Sequence, residues 1–309
     1  MTDGTEISCA NRFISEDLKI AYHRRIVVTE DVWSHAQWEE DGEMRQHYIE
    51  TESGKVYYWL PDYMDKDKQV LFFLHGMTAD HSMFREQATF FAGKYNIILW
   101  DAPAHGKSRP YENFTYEKAA IVIKMIFDTN NIESAVFIGQ SMGGFITQAV
   151  LKRFSSIVKG FIAIDSTPYG LEYYSKSDVF WLKQIEWMAN LYPLNALKRA
   201  IAKQVCETAD AYENMLDMLS LYGKKELSHL MGIGYAGFLN DNCDLKINCP
   251  VLLLLGDKDR TGKVKAYNKM WTAKTGYKLI MIENAGHNSN VDNPRKVNQE
   301  IEKFVERIG

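Results

Sequence analysis

Three residues of this sequence have the chemistry of a nucleophile, a base and an orienting acid: Ser141, His287 and Asp259. Ser141 lies in "SAVFIGQSMGGFITQAVL" (134–151), where a run of β-branched and aromatic residues ends in Gly139-Gln140-Ser141-Met142-Gly143-Gly144 and an apolar helical pattern starts at once. A chain that reverses within one residue at the tip of a buried strand is pushed into strained backbone there, and its side chain points out into the crevice. Strand and helix approach closely at such a corner, so its flanks must be small; Gly139 and Gly143 sit two residues to either side. The corner also places Ser141 at a helix N-terminus, whose free N–H groups favour developing negative charge. G-x-S-x-G between strand and helix is the nucleophile-elbow pattern. Glycine and serine each make up roughly 7% of residues, so chance alone yields the pattern in about one chain in ten of this length. The flanking elements, not the five letters, carry the argument.

A serine alone is a poor nucleophile and needs a base, and the base needs an orienter. His287 stands in "ENAGHNSN", directly after an apolar run that reads as a strand. Asp257 and Asp259 stand in "LLLLGDKDR", at the end of another. The chain order Ser…Asp…His is the one that accompanies this elbow. His287 Nε2 would take the Ser141 proton and return it to the leaving group, while the aspartate holds the imidazole tautomer and stabilises the imidazolium. Asp165, which ends "GFIAID", is a third candidate acid at a strand tip; its plainer role is to bind loop backbone at the sheet end.

The elements that must position these residues alternate along the chain. "MRQHYIETESGKVYYWL" reads as two strands joined at Glu52-Ser53-Gly54, an antiparallel edge. "QVLFFLHG", "YNIILWD", "SAVFIG", "VKGFIAID", "PVLLLLGD" and "YKLIMI" read as buried strands, with helical patterns between most of them, one led by Thr115. This alternation predicts an α/β fold, a mostly parallel sheet flanked by helices. From Pro168 to about Asn242 the strands stop, and Trp181, Ile185 and Met188, like Met215, Met218, Leu219 and Tyr222, recur at helical spacing. A helical insertion therefore interrupts the α/β domain. Its apolar residues Trp181, Trp187, Met188, Met215, Met218, Tyr222 and Phe238 are expected mostly in the insertion's own core, the alternative being a pocket lining. "GIGYAG" (232–237) matches G-x-G-x-x-G without a preceding strand and reads as a loop or hinge, not a dinucleotide site. "GDKDRTGK" fails the phosphate-loop spacing.

The chain from Met44 to Gly309 resembles the α/β-hydrolase superfamily with a helical cap inserted after the sixth strand. The residues that carry the likeness are "FLHGM" (73–77), "DAPAHGKS" (101–108), "GQSMGG", "LLLLGDKD" and "NAGHNSN", in family order. The resemblance implies a core in two parts, 44–167 and 243–309, a cap over 168–242, and an N-terminal extension, 1–43, beyond the usual family start. It implies an oxyanion hole from the backbone N–H groups of Met77 and Met142. It favours Asp259 over Asp257 as the acid, leaves Asp165 open because some relatives place the acid there, and makes His75 a brace for the oxyanion loop, with His81 and His105 ordinary loop residues. Thr78 stands where many relatives have a second glycine, and Ala104 replaces a common glycine of the "DAPAHGKS" loop.

The bulk numbers agree with a metal-free, cofactor-free enzyme acting on a small molecule. The chain has 309 residues, 46% hydrophobic and 25% charged, with a net charge of −4, so no basic surface advertises nucleic acid. The four cysteines, Cys9, Cys206, Cys243 and Cys249, form no C-x-x-C pair and read as free thiols of a reducing cytoplasm. The N-terminus lacks the cationic start and apolar run of a signal peptide, and no apolar run is long enough for membrane insertion. Residues 1–43 read as an arm packed on the core or reaching a second subunit to form a homo-oligomer. The expected reaction is hydrolysis of a small carboxylic ester through an acyl-serine intermediate. A lactone, a thioester, an amide or a carbon–carbon bond next to a ketone would use the same scaffold, and a non-catalytic small-molecule receptor is the reading from a different class. An aminopeptidase would need cap carboxylates such as Glu172, Glu186, Glu207, Asp210 or Glu213 to hold an amine.

Overall fold

The computed structural model describes residues 44–240 and 245–309. The N-terminal arm, the boundary placed at 242/243, and Cys9 and Cys243 lie outside the described residues; Cys206 and Cys249 are free thiols. The first strands, β1 (Met44–Thr51) and β2 (Gly54–Pro61), form the expected antiparallel hairpin, in register from Met44 opposite Pro61 to Thr51 opposite Gly54. There follow β3 (Val70–Leu74), α1 (Arg85–Phe91), β4 (Asn96–Trp100), α2 (Tyr116–Thr129), β5 (Ala135–Gln140), α3 (Met142–Phe154) and β6 (Val158–Ile164). Thr115 caps α2, its side chain accepting from the Lys118 N–H. Five helices come next: α4 (Lys176–Leu182), α5 (Ile185–Asn190), α6 (Leu194–Val205), α7 (Ala209–Ser220) and α8 (Lys224–Ala236). The chain then re-enters the sheet with β7 (Val251–Gly256), α9 (Val264–Thr275), β8 (Lys278–Ile282), the single turn α10 (Ser289–Asp292) and α11 (Pro294–Ile308).

The eight strands lie in the order β1-β2-β4-β3-β5-β6-β7-β8, and every pair from β4 to β8 is parallel. Side chains alternate between the two faces with the period of two that a pleated strand imposes. Phe72, Phe137, Phe161 and Leu253 pack under Ile123, Ile146, Ala149 and Trp271 of α2, α3 and α9. Leu71, Phe73, Ile138, Ile162 and Leu254 pack against Ala88, Phe91, Val297, Ile301 and Phe304 of α1 and α11. Burying each such side chain is worth about 1.5–3 kcal/mol, which is why these strands read as continuous apolar runs. The strand order reverses at β3: the chain leaves it toward β4 on one side and β5 lies on the other. The loops after β3 and β5 therefore diverge, opening a crevice at the carboxyl ends of these two strands.

Two expectations need correction. Residues 232–236 of "GIGYAG" are the last turn and a half of α8, not a loop. Glycine costs a helix about 1 kcal/mol relative to alanine, but packing overrides that preference here. A Cβ on Gly234 would meet Met77 Sδ at 2.2 Å, and one on Gly232 would meet the Glu186 side chain at 2.7 Å. Second, Trp181 and Trp187 are 57% and 61% exposed, and Met188 is also exposed, so these are not core. Helices α4 and α5 have seven and six residues, too few turns for helical spacing to define a buried face. Met215, Met218, Tyr222 and Phe238 are buried as expected.

The closest backbone approach at the crevice is at Gly143, where an added Cβ would lie 1.9 Å from the Leu74 carbonyl oxygen. Gly143→Ala should therefore cost about 3 kcal/mol or more, through overpacking against main chain that cannot move aside. At Gly223, a helix N-cap with nothing within 4 Å, the same substitution should cost no more than about 1 kcal/mol, the preference of that position for glycine over alanine. Thermal and urea denaturation of the two variants check the contrast.

Candidate active site

Ser141 stands where β5 gives way to α3, with φ 48° and ψ −110°. A non-glycine residue at positive φ costs on the order of 1–3 kcal/mol and persists only where its surroundings dictate it. Here they do. The Ser141 N–H donates to the Ile164 carbonyl (2.8 Å), and its own carbonyl accepts from the Gly144 N–H (3.0 Å) and Ser166 Oγ (2.8 Å). Cβ atoms on Gly139 and Gly144 would meet Gly143 main chain at 2.5 Å and Ser166 Oγ at 2.2 Å, so the corner closes only around glycines.

Two loops bring the partners from the far side of the sheet. The loop after β8 carries His287, whose Nε2 lies 2.8 Å from Ser141 Oγ. The loop after β7 carries Asp259, whose Oδ2 lies 2.8 Å from His287 Nδ1. The other Asp259 oxygen accepts from the Thr261 N–H (2.7 Å). Asp259, not Asp257 or Asp165, reaches the imidazole. Asp257 accepts from the Ala285 N–H. Asp165 accepts from the Gly256 N–H and from the Ser289 N–H and hydroxyl, tying the ends of β6 and β7 to the start of α10.

Charge follows from this placement. Burial lowers the His287 pKa, but the adjacent Asp259 carboxylate outweighs it, and the net shift is upward. Burial raises Asp259, and His287 with the Thr261 bonds draws it below the ordinary carboxylate value. Burial, and then the neighbouring charge of Asp259, push Asp165 up to about 7.

Of the remaining expected residues, Met77 and Thr78 line the cavity at Ser141. Among the described residues, neither the Met77 nor the Met142 backbone N–H has a hydrogen-bond partner. Met142 is the first residue of a 13-residue helix, so its free N–H is one of the orphan donors of that terminus. The loop that presents Met77 is fastened by the buried His75. Its Nε2 accepts from the Ala102 N–H (2.9 Å), which leaves Nδ1 to donate to the Gly76 carbonyl (2.7 Å). Burial lowers the His75 pKa, so the ring is neutral in that role. Thr78 (φ 63°) and Ala104 (φ 67°), the residues that replace family glycines, both have left-handed backbone. His81 Nδ1 bonds Asp101 Oδ1 (2.7 Å) and His105 Nδ1 bonds the Pro103 carbonyl (2.9 Å), away from Ser141. Asp80, His81 and Asp101 also bring potential metal-ligand atoms within 4.8 Å of one another. The Asp101 oxygens there already accept from the His81 and Lys107 N–H groups, so the cluster is spoken for by the loop it ties together.

Sequence reasoning missed Gln140. It is fully buried, its Nε2 donates to the His287 carbonyl (2.8 Å), and its Oε1 occupies the place a Gly76 Cβ would take. One side chain thus joins the β5 tip, the His287 loop and the Met77 loop. The available signal was an amide at the end of an otherwise apolar strand. Helices α6 to α8 close the space above: Ile201, Val205, Met215, Met231 and Tyr235 line a cavity of about 40 Å³ with Ser141, His287, Met77 and Met83.

The fold and this arrangement define a hydrolase scaffold, and comparison with known proteins agrees. The family model for the alpha/beta hydrolase fold matches residues 69–294, and the chain belongs to that family. It is 26% identical over 277 residues to the AB hydrolase superfamily protein YisY of Bacillus subtilis, covering 84% of this chain and 98% of that one. It is 24% identical over 248 residues to 3-oxoadipate enol-lactonase 1 of Acinetobacter baylyi, covering 76% and 88%. Among solved structures, a thermophilic esterase from Thermogutta terrifontis superposes with a TM-score of 0.70 at 17% identity, covering 85% of this chain and 99% of that one. Among the described residues no helix is long and apolar enough to cross a membrane.

The Asp259–His287 contact has a direct readout. In an NMR titration the His287 ring should show a midpoint above the ordinary 6.5, and Asp259→Asn should move it below that value. The carboxylate is then gone while burial still disfavours the imidazolium.

Proposed function

We propose that this protein is a serine hydrolase that cleaves a carboxylic ester through an acyl-Ser141 intermediate. The observation that carries the reading is the unbroken contact from Ser141 Oγ through His287 to Asp259, each step 2.8 Å. His287 Nε2 removes the Ser141 proton as Oγ attacks the ester carbonyl carbon. The oxygen of the tetrahedral intermediate takes its hydrogen bonds from the Met77 and Met142 N–H groups. His287 then passes the proton to the departing alkoxide. A water, deprotonated by the same imidazole, cleaves the acyl-enzyme and restores Ser141. Each oxyanion donor is worth roughly 10²–10³ in turnover. The helices of 168–242 serve as the cap that shapes the acyl site, and residues 44–167 with 243–309 serve as the catalytic core.

Lactones fall within the same reading, since a lactone is a cyclic ester, and one of the similar proteins is named an enol-lactonase. The amine-binding requirement of an aminopeptidase finds no support. Glu172 pairs with Lys274, Glu186 with His229 and Glu207 with Arg260, Asp210 and Glu213 are exposed, and none of the five lines the Ser141 cavity.

Initial rates on p-nitrophenyl esters of graded acyl length test the proposal. Ser141→Ala should lower kcat by roughly 10⁶ and Asp259→Asn by roughly 10⁴, by the scale of equivalent changes in other triads. Asp165→Asn should cost far less, because Asp165 holds loop backbone and does not touch the imidazole. Near wild-type turnover by a clean Ser141→Ala preparation would sink the mechanism.

A further inference from the structure

Helix α8 is a wall one helix thick. Met231 and Tyr235, one turn apart, face the cavity at Ser141, while Gly232, Ile233 and Ala236 line an outer groove against the start of α2. Two contacts fix the wall over the site. The Tyr116 hydroxyl donates to the Gly234 carbonyl (2.6 Å), and the missing side chain of Gly234 makes room for Met77 Sδ. The direction in which Tyr235 points is therefore set by core residues and not by the inserted helices alone.

The cavity's polar groups are nearly all engaged. Ser141 and His287 hold each other, the Thr78 hydroxyl donates to the Met77 carbonyl (2.6 Å), and Gln140 Nε2 donates to the His287 carbonyl (2.8 Å). Asn288 Nδ2 is turned to the sulfurs of Cys206 and Met215, at 3.5 and 3.6 Å. The Tyr235 hydroxyl has no hydrogen-bond partner among the described residues. Around it the walls are thioether and hydrocarbon, four of them methionines: Met77, Met83, Met215 and Met231. Burial, and then the charge of Asp259, raise the Tyr235 pKa, so the phenol is an O–H donor throughout the working pH range. Tyr235 is half-buried and lines the cavity beside Ser141, so its hydroxyl is open to a group that enters there, and a tyrosine hydroxyl enclosed by a bound molecule ordinarily takes a partner.

We propose that Tyr235 determines substrate specificity: its hydroxyl donates a hydrogen bond to an acceptor oxygen that the substrate carries in addition to its scissile carboxyl group. The preferred substrates are then esters or lactones with an ether, carbonyl or hydroxyl oxygen along the chain, not plain aliphatic esters. The methionines, flexible and polarizable, accommodate the hydrocarbon on either side of that oxygen. A site built to hydrogen-bond a substrate group discriminates against the analogue that lacks it, because the site's own polar atom is left unpaired. This inference rests on the ester-hydrolase reading above.

The test compares ethyl hexanoate with isosteres in which an ether oxygen replaces one methylene, stepped along the acyl chain, and butyl butanoate with isosteres stepped along the alkoxy chain. Rates are followed by pH-stat and divided by the alkaline hydrolysis rate of each ester. Wild type should prefer at least one ether isomer over its all-carbon parent by about tenfold in kcat/KM, the worth of one good hydrogen bond. Tyr235→Phe should bring that ratio to about one, the fall in kcat/KM for the ether isomer exceeding any change for its all-carbon parent. The inference is overturned if wild type shows no such preference, or if Tyr235→Phe lowers parent and isomer alike, which would make the tyrosine a structural or general catalytic element. Ser141→Ala, run in parallel on the parent ester, separates the two readings. Turnover that survives it, or a wild type inert on every ester, defeats the hydrolase reading itself; turnover it abolishes, without an ether preference, defeats only the role of Tyr235.

Discussion

The left-handed backbone at Ser141 is the constraint on which the site depends. A non-glycine residue at φ 48° and ψ −110° is held there by close packing on every side: β5 against α3 at Gly139, α3 against the Leu74 carbonyl at Gly143, and Ser166 at Gly144. The sheet order makes this corner useful. Because the strand order reverses between β3 and β5, the Met77 loop and the Ser141 corner face one crevice. The strain is local, on the order of 1–3 kcal/mol, and is offset by the apolar burial of a sheet covered on both faces.

A second set of contacts gathers the distant loops. His287 and Asp259 meet Ser141 only because β7 and β8 rejoin the sheet after five helices. Gln140 then clasps the His287 main chain, while Asp165 fastens β6, β7 and the start of α10. Asp165 thus does at the sheet end what its position in the sequence had suggested as its plainer role. Its upward-shifted pKa marks the cost of burying a second carboxylate beside Asp259.

Much of this was legible in the sequence, for physical reasons. Strands buried on both faces must be continuous apolar runs, so "VLFFL", "NIILW" and "VLLLLG" identify themselves. Glycines two residues either side of a serine reveal a close crossing. Thr78 and Ala104, noted in the sequence only as departures from family glycines, both sit at positive φ, where glycine would be the unstrained choice. What failed was local preference overridden by tertiary packing. Gly232 and Gly234 suggested a break, yet they are the means by which α8 comes close to Glu186 and Met77. Trp181 and Trp187 suggested core at helical spacing, but helices of two turns show no consistent face. Tyr235 was not distinguishable in sequence, and the amide that ends an apolar strand at Gln140 marked a position but not its partners, since the importance of each depends on what lies across the crevice.

An activated nucleophile at Ser141, and not merely a strained corner, would react with an electrophile that mimics an ester. The most direct measurement is the intact mass of the protein after brief exposure to a fluorophosphonate, with peptide mapping of the adduct and the labelling rate followed against pH. The expected result is one adduct, on Ser141, formed at a rate that rises with pH as His287 loses its proton and that collapses in His287→Ala. No adduct, an adduct on another residue, or a rate indifferent to His287 would contradict it.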